Sequence, residues 1–553
     1  MRDMIAVLLF VFLAASPAMP TDTPPTLDEL AARAAAIRIE FHSAEEYAAA
    51  ADAWRSIEDD LARIDPAELG HADAIDHRLL DDHARIRRLE IEEFRLHEVV
   101  PLRYFALWQT DGLLLRPCSA GGAAIGRAID ELERLPTILA NAETNLTRPA
   151  RVWTENALYT AWYADKLLSE ELPAACLGDP SRRDELLAAT IPARQALDRF
   201  VVFLEEDLLP RSDRAPTWPP EAIEHYQLIQ EQLPTELGTV DNMLRIASEE
   251  EVRLMEEMHA LAKRIHPSGD LSIVWENMKN EAPPWSEVMP MAQWYVDHTA
   301  RWLEHEGQHL IGIPERFDYG VAITTPMGRR ILSFGGATYG PTIADRISGY
   351  YVLTPLEERL TEAEKASRIK AYNPYWTHVI SYHEWVGHNV QRAWAQQAPD
   401  RPIRRLARSA YLSQSWSFYL ERLFEEHGYF DSLPHLEALK TRMARLQMRM
   451  WRVQRILTKL RMAKGEMTFD QAVQAYVDKI GMEPTNAYIE VQRDSQTPAS
   501  PGREIIGEMV VESMRDAYLR RFGEHGTLRG FHEDLLRQGE LPLPAIQRIL
   551  LGD

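Results

Sequence analysis

Apolar residues recur three and four positions apart along most of the chain from Leu27 onward. This spacing places the apolar side chains on one face of an α-helix and therefore predicts amphipathic helices. Residues 27–39 and 48–64 are early examples, with Ala-rich and Glu/Arg-rich sequences. Pro and Gly cluster between such stretches rather than inside them. The pattern predicts a mainly α protein.

The clearest single helix is predicted at residues 435–464, where Leu, Met and Val follow a 3-4-3-4 spacing that ends at Gly465. About four heptads are present, so the apolar stripe could form a coiled-coil seam. A single long helix in a helical core is favoured, because ordinary globular sequence continues on both sides. Thr468 and Gln471 then form a capping box that predicts the start of another helix, and Gly481 predicts its end.

Extended structure is predicted in one region only. Residues 319–325, 331–334 and 350–353 are rich in β-branched and aromatic side chains, and Gly and Pro residues separate them. They predict a small β-sheet that precedes a helix at residues 382–394. The predicted fold is therefore a large, mainly α protein with a small β-sheet before this helix.

The chain contains plausible joints at residues 212–220 and 267–270, where Pro, Gly and Ser accumulate. They predict a helical N-terminal lobe at residues 24–270 and a second lobe, with the small sheet and the C-terminal helices, at residues 271–553. One continuous domain over residues 24–553 is the alternative. No internal repeat or low-complexity linker is present.

The first 18 residues differ from the rest of the chain. Arg2 precedes an apolar run, and Ser16-Pro17-Ala18 supplies small residues at a plausible cleavage position. This pattern is typical of a secretory signal peptide, and about twelve apolar residues are too few to span a bilayer. We therefore expect an exported protein, periplasmic or extracellular, with no stable membrane anchor after the signal is removed.

Charge and cysteine content limit the classes of partner and the compartment that we expect for this protein. The chain has 61 Lys plus Arg against 84 Asp plus Glu, a net charge of -23. This acidic balance argues against binding to nucleic acid, which needs basic surfaces to displace counterions. Cys118 and Cys176 could pair in an oxidising compartment, or they could be two unrelated buried thiols. The sequence leaves both alternatives, and also the oligomeric state, open.

Two short stretches could hold a metal. His305-Glu306 with His309 forms an H-E-x-x-H motif, whereas His383-Glu384 with His388 has one more residue between the histidines. On an α-helix, a four-residue spacing leaves the two imidazoles about 40° apart, but a five-residue spacing leaves them about 140° apart. A π-type turn removes this objection to the second motif, because its wider turn brings positions five apart into register.

Three blocks give the second motif its context: residues 381–391 (SYHEWVGHNVQ), residues 413–423 (SQSWSFYLERL), and residues 490–493 (EVQR) followed by 498–507. In order and separation they resemble the bacterial family named domain of unknown function 885, and residues 349–352 (GYYV) resemble its extended segment. The resemblance is clear over residues 340–510. It implies a mostly helical, zincin-like zinc metallopeptidase and favours the His383 motif over the His305 motif.

The resemblance also implies the ligands of one Zn²⁺ ion. His383 and His388 match the family's histidines, but Gln414 stands where relatives carry the glutamate expected as the third ligand. A neutral amide is a weaker zinc ligand than a carboxylate. Glu421, two helical turns after Gln414, or Glu504, where relatives often have tyrosine, could supply the carboxylate instead.

The implied reaction is hydrolysis of a peptide or small protein, with Glu384 as the general base for water that attacks the carbonyl. Candidates for contacting the substrate or its developing oxyanion are Tyr350, Tyr351, Arg503 and Glu504. The alternative is a catalytically degenerate member that binds peptides or envelope partners without hydrolysis.

Overall fold

The computed structural model describes residues 24–115, 118, 121–177, 179–315, 317–329, 331–343, 346–499 and 501–552. The predicted signal peptide at residues 1–18 lies outside the described residues. Helices dominate the described chain, and one small sheet interrupts them, which confirms the predicted fold class. Within the described residues, no helix has both the length and the apolar character needed to cross a membrane.

The α-helices of nine or more residues extend along the whole described chain. In the first half they are Leu27–Ala36, Ala44–Leu61, His71–Glu92, Gly122–Asn145, Arg151–Lys166, Arg183–Phe203, Val240–Ile265, Leu271–Lys279 and Trp285–His305. In the second half they are Pro374–Tyr382, Tyr411–Glu426, His435–Ala463, Phe469–Ile480, Pro484–Ser495, Ile505–Phe522, Leu528–Leu536 and Leu543–Leu551.

Local sequence signals fix several helix ends as predicted. The 29-residue helix His435–Ala463, here called the long helix, confirms the prediction for residues 435–464. The next helix begins at the predicted capping box, in which the Thr468 side chain accepts a hydrogen bond from the backbone of Gln471. It ends at Gly481, which has the left-handed conformation (φ 75°) that glycine adopts without steric cost.

The sheet has three strands in the order β1-β3-β2: β1 (Phe317–Ile323), β2 (Gly335–Ile343) and β3 (Arg346–Leu353). β1 is parallel to β3, with Phe317 opposite Ile347, and β2 is antiparallel to β3, with Gly335 opposite Leu353. The central strand β3 is therefore covered on both edges. Both β2 and β3 pack against the helix that carries His383 and His388.

The predicted strand at residues 331–334 is wrong, because these residues form the approach to β2, and the glycines taken as breaks lie inside the strand. The reason is tertiary. A Cβ on Gly335 would lie 2.1 Å from the carbonyl oxygen of Val352, so the neighbouring strand leaves room only for glycine. A sequence pattern alone cannot distinguish a glycine required by close strand packing from one that ends a strand.

Two clusters of buried apolar side chains stabilise the fold. The larger contains residues from Leu30 to Leu551 and continues across residue 270, with Leu261 and Leu271 both buried in it. The smaller is built mainly from residues 104–208. Cys118 and Cys176 form a disulfide in this part of the chain. The division into lobes at residue 270 stays a prediction, and the main core does not separate there.

Candidate metal site

The two histidines of the second motif lie on one continuous helical segment at residues 374–395, here called the histidine helix. Its first part is α-helical (Pro374–Tyr382), and its centre is a π-helix (His383–Val390) that contains the whole motif. The wider π turn brings the imidazoles of His383 and His388 together, with ring centroids 5.0 Å apart. The five-residue spacing is thus accommodated in the way the sequence suggested.

Close packing holds the π-helix in place. A Cβ on Gly387 would lie 2.5 Å from Cβ and 2.8 Å from Cα of Ser417, which belongs to the helix Tyr411–Glu426. On another side, a Cβ on Gly349 of β3 would lie 2.6–2.8 Å from side-chain atoms of Asn389. Two glycines therefore let a second helix and the sheet approach the motif closely.

This packing makes a stability prediction. Gly387→Ala is expected to lower the free energy of unfolding by about 1–3 kcal/mol, because the added methyl group overlaps backbone as well as side-chain atoms of Ser417. Denaturant unfolding measures the change. The control is Gly112→Ala, since no atom lies within 4 Å of that Cβ. Equal stability of the two variants would contradict the close approach.

Each imidazole is oriented through its Nδ1 atom. His383 Nδ1 lies 2.7 Å from Glu421 Oε1, and His388 Nδ1 lies 2.9 Å from Ser413 Oγ. Burial raises the pKa of Glu421 to about 7. When Glu421 is ionised it can only accept, so Nδ1 of His383 then carries the proton and its Nε2 presents a lone pair. Ser413 Oγ can accept from His388 in the same way. Burial lowers the pKa of both histidines well below the ordinary value, so both imidazoles are neutral, as metal ligands must be.

Glu384 completes the cluster. Ligand atoms of His383, Glu384 and His388 all lie within 4.8 Å of one another, and Glu384 Oε2 is 3.9 Å from His388 Nε2. Burial raises the pKa of Glu384 to about 7, while the positive charge of Arg452 and a hydrogen bond from the backbone of Ala337 in β2 act in the opposite direction. A carboxyl group with this pKa is well suited to exchange a proton near neutral pH.

The cluster opens into a cavity of about 340 Å³. Of the predicted site residues, the cavity is lined by His383, Glu384, His388, Gln414 and Arg503. Gln414 and Ser413 both come from the helix Tyr411–Glu426, so this helix supplies a hydrogen-bond partner to His388 and an amide to the cavity wall. The structure therefore brings the three motif residues and Gln414 to one place.

The two glutamates considered as replacements for the missing carboxylate have other partners. Glu421 bonds to Nδ1 of His383, on the side of the ring opposite to Nε2, where it orients the ligand instead of joining it. Glu504 lies 2.6 Å from Arg455 and is 1% exposed. Neither is among the residues that line the cavity. Of the three side chains considered as the third ligand, Gln414 is the one that lines the cavity with the two histidines.

Tyr350 and Tyr351, predicted as substrate contacts, lie on the central strand β3 and do not line the cavity. Tyr351 is 1% exposed and belongs to the main core. The edge strand β2 lines the cavity instead of β3, and Tyr339 is one of the residues that it contributes. The order of the strands decides which strand lines the cavity, and the sequence does not show which strand lies at the edge of the sheet.

Sequence reasoning also missed the basic wall of the cavity. Besides Arg503, this wall contains Arg452 and Arg455 of the long helix and Arg493 of the helix Pro484–Ser495. The apolar spacing along the long helix predicts only the face that packs in the core. In the structure most residues of this helix are buried, and the arginines within it were the available sequence signal for a basic cavity wall.

The competing motif does not form a comparable site. The helix Trp285–His305 ends at its first histidine, and residues 306–310 form turns, so His305 and His309 do not share a helical face. His309 Nε2 instead lies 3.0 Å from Nδ1 of His427, near the surface. Among the described residues, the cluster of three potential ligands with metal-binding separations is His383, Glu384 and His388.

The donor set fits a transition-metal ion. Two neutral, buried imidazoles with oriented rings are typical zinc ligands, and a carboxylate and an amide oxygen lie at the same cavity. His383 and His388 would hold such an ion, with Gln414 as the candidate third donor. Imidazole ligands also suit other transition metals.

Comparison with known proteins agrees with the fold. The family model described as "Bacterial protein of unknown function (DUF885)" matches residues 29–550. A candidate lipoprotein of unknown function from Shewanella oneidensis has a similar structure, with 16% sequence identity and a TM-score of 0.69 over 95% of this chain and 97% of that one.

A candidate lipoprotein from Colwellia psychrerythraea is similar to the same extent, with 17% identity and a TM-score of 0.68 over 92% of this chain and 91% of that one. At these identities the likeness shows the shared fold alone. Among curated proteins, none matches the chain.

Proposed function

The chain belongs to the DUF885 family of bacterial proteins, and we propose that it is an exported, zinc-dependent peptidase whose site is centred on His383, Glu384 and His388. The observation that carries this proposal is the convergence of the three side chains, whose ligand atoms lie within 4.8 Å of one another, on a π-helix that lines a cavity. Neutral imidazoles beside a carboxyl group of raised pKa support a hydrolytic role.

The roles follow from the positions of the side chains. A zinc ion held by His383 and His388 would polarise a water molecule and the carbonyl of the substrate. Glu384 is placed beside the two histidines, where it would take a proton from the attacking water and pass it to the leaving amine. Glu421 and Ser413 keep the imidazoles oriented throughout. Arg503 lines the cavity and can donate hydrogen bonds to substrate oxygens.

Export is part of the proposal. The apolar N-terminal segment supports it, and so does the bond between Cys118 and Cys176, because disulfides persist mainly in oxidising compartments. The two similar structures are described as candidate lipoproteins, which is compatible with a location in the cell envelope.

The metal site is tested by loading and substitution. We expect about one zinc ion per chain after dialysis against zinc, measured by elemental analysis, and loss of this ion in His383→Ala and His388→Ala. The controls are His305→Ala and His309→Ala, which remove the histidines of the competing motif and should keep the metal. Metal retained in both His383→Ala and His388→Ala would refute the proposed site.

Activity is tested on the same preparations. Incubation with a mixture of short synthetic peptides, analysed by mass spectrometry, should show cleavage that a chelator removes and zinc restores. A second function has specific support, since Gln414 replaces a carboxylate and Glu421 and Glu504 have other partners. This second function is peptide binding without hydrolysis. A protein that binds the metal and binds peptides, but does not cleave them, would favour it.

A further inference from the structure

The basic wall of the cavity contains one arginine that differs from the others. Arg455 is paired with Glu490 at 3.0 Å and Glu504 at 2.6 Å, and Arg493 is paired with Glu490 at 2.7 Å. Arg503 lies 3.7 Å from Glu504. Asp494 also lies 3.6 Å from Arg455 and 3.5 Å from Arg493, so three carboxylates of the protein itself accompany these three arginines.

Arg452 lines the same cavity and has no such partner. It is 6% exposed and forms no salt bridge within 4 Å among the described residues, although the carboxylates of Glu421, Glu504 and Glu384 act on its charge from farther away. Its Nη1 makes a long 3.4 Å contact with the carbonyl oxygen of Met448, and its Nε has no hydrogen-bond partner. The guanidinium lies against the ring of Trp451, 4.6 Å from the centroid.

A buried charge without a paired counter-charge destabilises a folded protein, whereas the same charge beside a cavity can bind an anionic ligand. Arg452 lines the same cavity as His383 and Glu384, so its positive charge lies at the wall of the proposed reaction centre. Its planar guanidinium matches a carboxylate, which can accept two parallel hydrogen bonds. The chemistry of Arg452 therefore fits a substrate carboxylate.

Two properties of the cavity indicate which carboxylate. A volume of about 340 Å³ is near the lower end of the range for small-molecule sites, so the cavity suits the end of a peptide better than a long internal segment. Arg452, the cavity arginine without a salt bridge, favours the negatively charged C-terminal end over the positively charged N-terminal end. A glutamate or aspartate side chain of the substrate offers the same chemistry and must be distinguished by experiment.

We propose that Arg452 binds the C-terminal carboxylate of a short peptide, so that the site acts as a carboxypeptidase. This inference rests on the proposed peptidase function. In the reaction, the water oxygen bonds to the carbonyl carbon and the peptide C–N bond breaks. One water proton goes through Glu384 to the leaving nitrogen, and the second ends on the same nitrogen. The products are a shortened peptide with a new carboxylate and a released C-terminal fragment with an ammonium group.

The test compares three N-acetylated peptides: trialanine with a free carboxylate, trialanine amide, and an amidated peptide with one glutamate side chain. We expect kcat/KM for the free acid to exceed that for either amide by about 100-fold, because a buried charge pair is lost in the amides. Arg452→Gln should lower kcat/KM for the free acid to the level of the amides.

The control for Arg452→Gln is Arg461→Gln, which changes an arginine of the same helix that does not line the cavity and should keep the preference. A role of Arg452 in stabilising the oxyanion would lower the rate for acid and amide equally and would overturn the inference. Preference for the glutamate-containing amide over trialanine amide, with no preference for a free terminus, would also overturn it.

Binding separates this inference from the proposed function. Calorimetry with Glu384→Gln protein, which does not turn over substrate, should show about 100-fold tighter binding of the free acid than of trialanine amide, and Arg452→Gln should abolish the difference. That result without hydrolysis by the unmodified protein would support carboxylate recognition and refute the peptidase. Hydrolysis of the free acid and the amide at equal rates would support the peptidase and refute carboxylate recognition by Arg452.

Arg452→Gln removes a buried charge that forms no salt bridge, so the variant should fold; the loss of its attraction to the nearby Glu384 and Glu421 offsets the gain, and the unfolding temperature should stay close to that of the unmodified protein. If the glutamine variant unfolds at a lower temperature, Arg452→Met provides the same binding test with a side chain of similar length. Acid preference retained in a folded variant that lacks the guanidinium would overturn the inference.

Discussion

Glu384→Gln is expected to lower kcat/KM for peptide hydrolysis by about 10³-fold while zinc remains bound. General bases contribute roughly 10²–10⁴-fold to such reactions, and an amide cannot accept the proton from water. The ion stays because His383 and His388 keep their orienting partners Glu421 and Ser413. Steady-state kinetics and elemental analysis of the same sample measure both quantities.

Glu306→Gln is the matched control for this change, since it makes the same substitution in the competing motif, where the residue caps a helix end at the surface. Its activity should equal that of the unmodified protein. Full hydrolysis by Glu384→Gln would show that another group takes the proton. Loss of zinc from Glu384→Gln would instead identify Glu384 as a metal ligand.

Gln414→Glu is expected to tighten zinc binding by at least about tenfold. Gln414 lines the cavity with both imidazoles, so a glutamate there would add a negative charge close to the ion. Two unit charges 4 Å apart attract by about 4 kcal/mol at an effective dielectric constant of 20. Repulsion from Glu384 and desolvation of the new carboxylate offset part of this gain. Competition with a fluorescent zinc chelator measures the dissociation constant.

Gln308→Glu is the control for charge alone, because it adds a carboxylate beside His305 and His309 without approaching the cavity. It should leave zinc affinity unchanged. An unchanged affinity in Gln414→Glu would mean that position 414 does not face the ion. If Gln414→Glu also creates hydrolysis in a protein that otherwise lacks it, a single missing ligand would explain the inactivity.

Local signals in the sequence were sufficient for much of the fold. Apolar spacing predicted the long helix, and the capping box at Thr468 predicted where the next helix begins, because both depend on interactions within a few residues. The strand at residues 331–334 was wrong, because the neighbouring Val352 carbonyl, not local propensity, requires Gly335 within β2.

The sequence by itself determined the residue types of the site: His383, Glu384 and His388, with a spacing that requires a π turn. The tertiary structure decided how Glu421 and Glu504 are used, since their partners His383 and Arg455 are 38 and 49 residues away in the chain. It also decided that Arg452 is buried beside the reaction centre without a carboxylate partner. Burial and charge pairing depend on which helices meet, and a pattern along one helix does not contain that information.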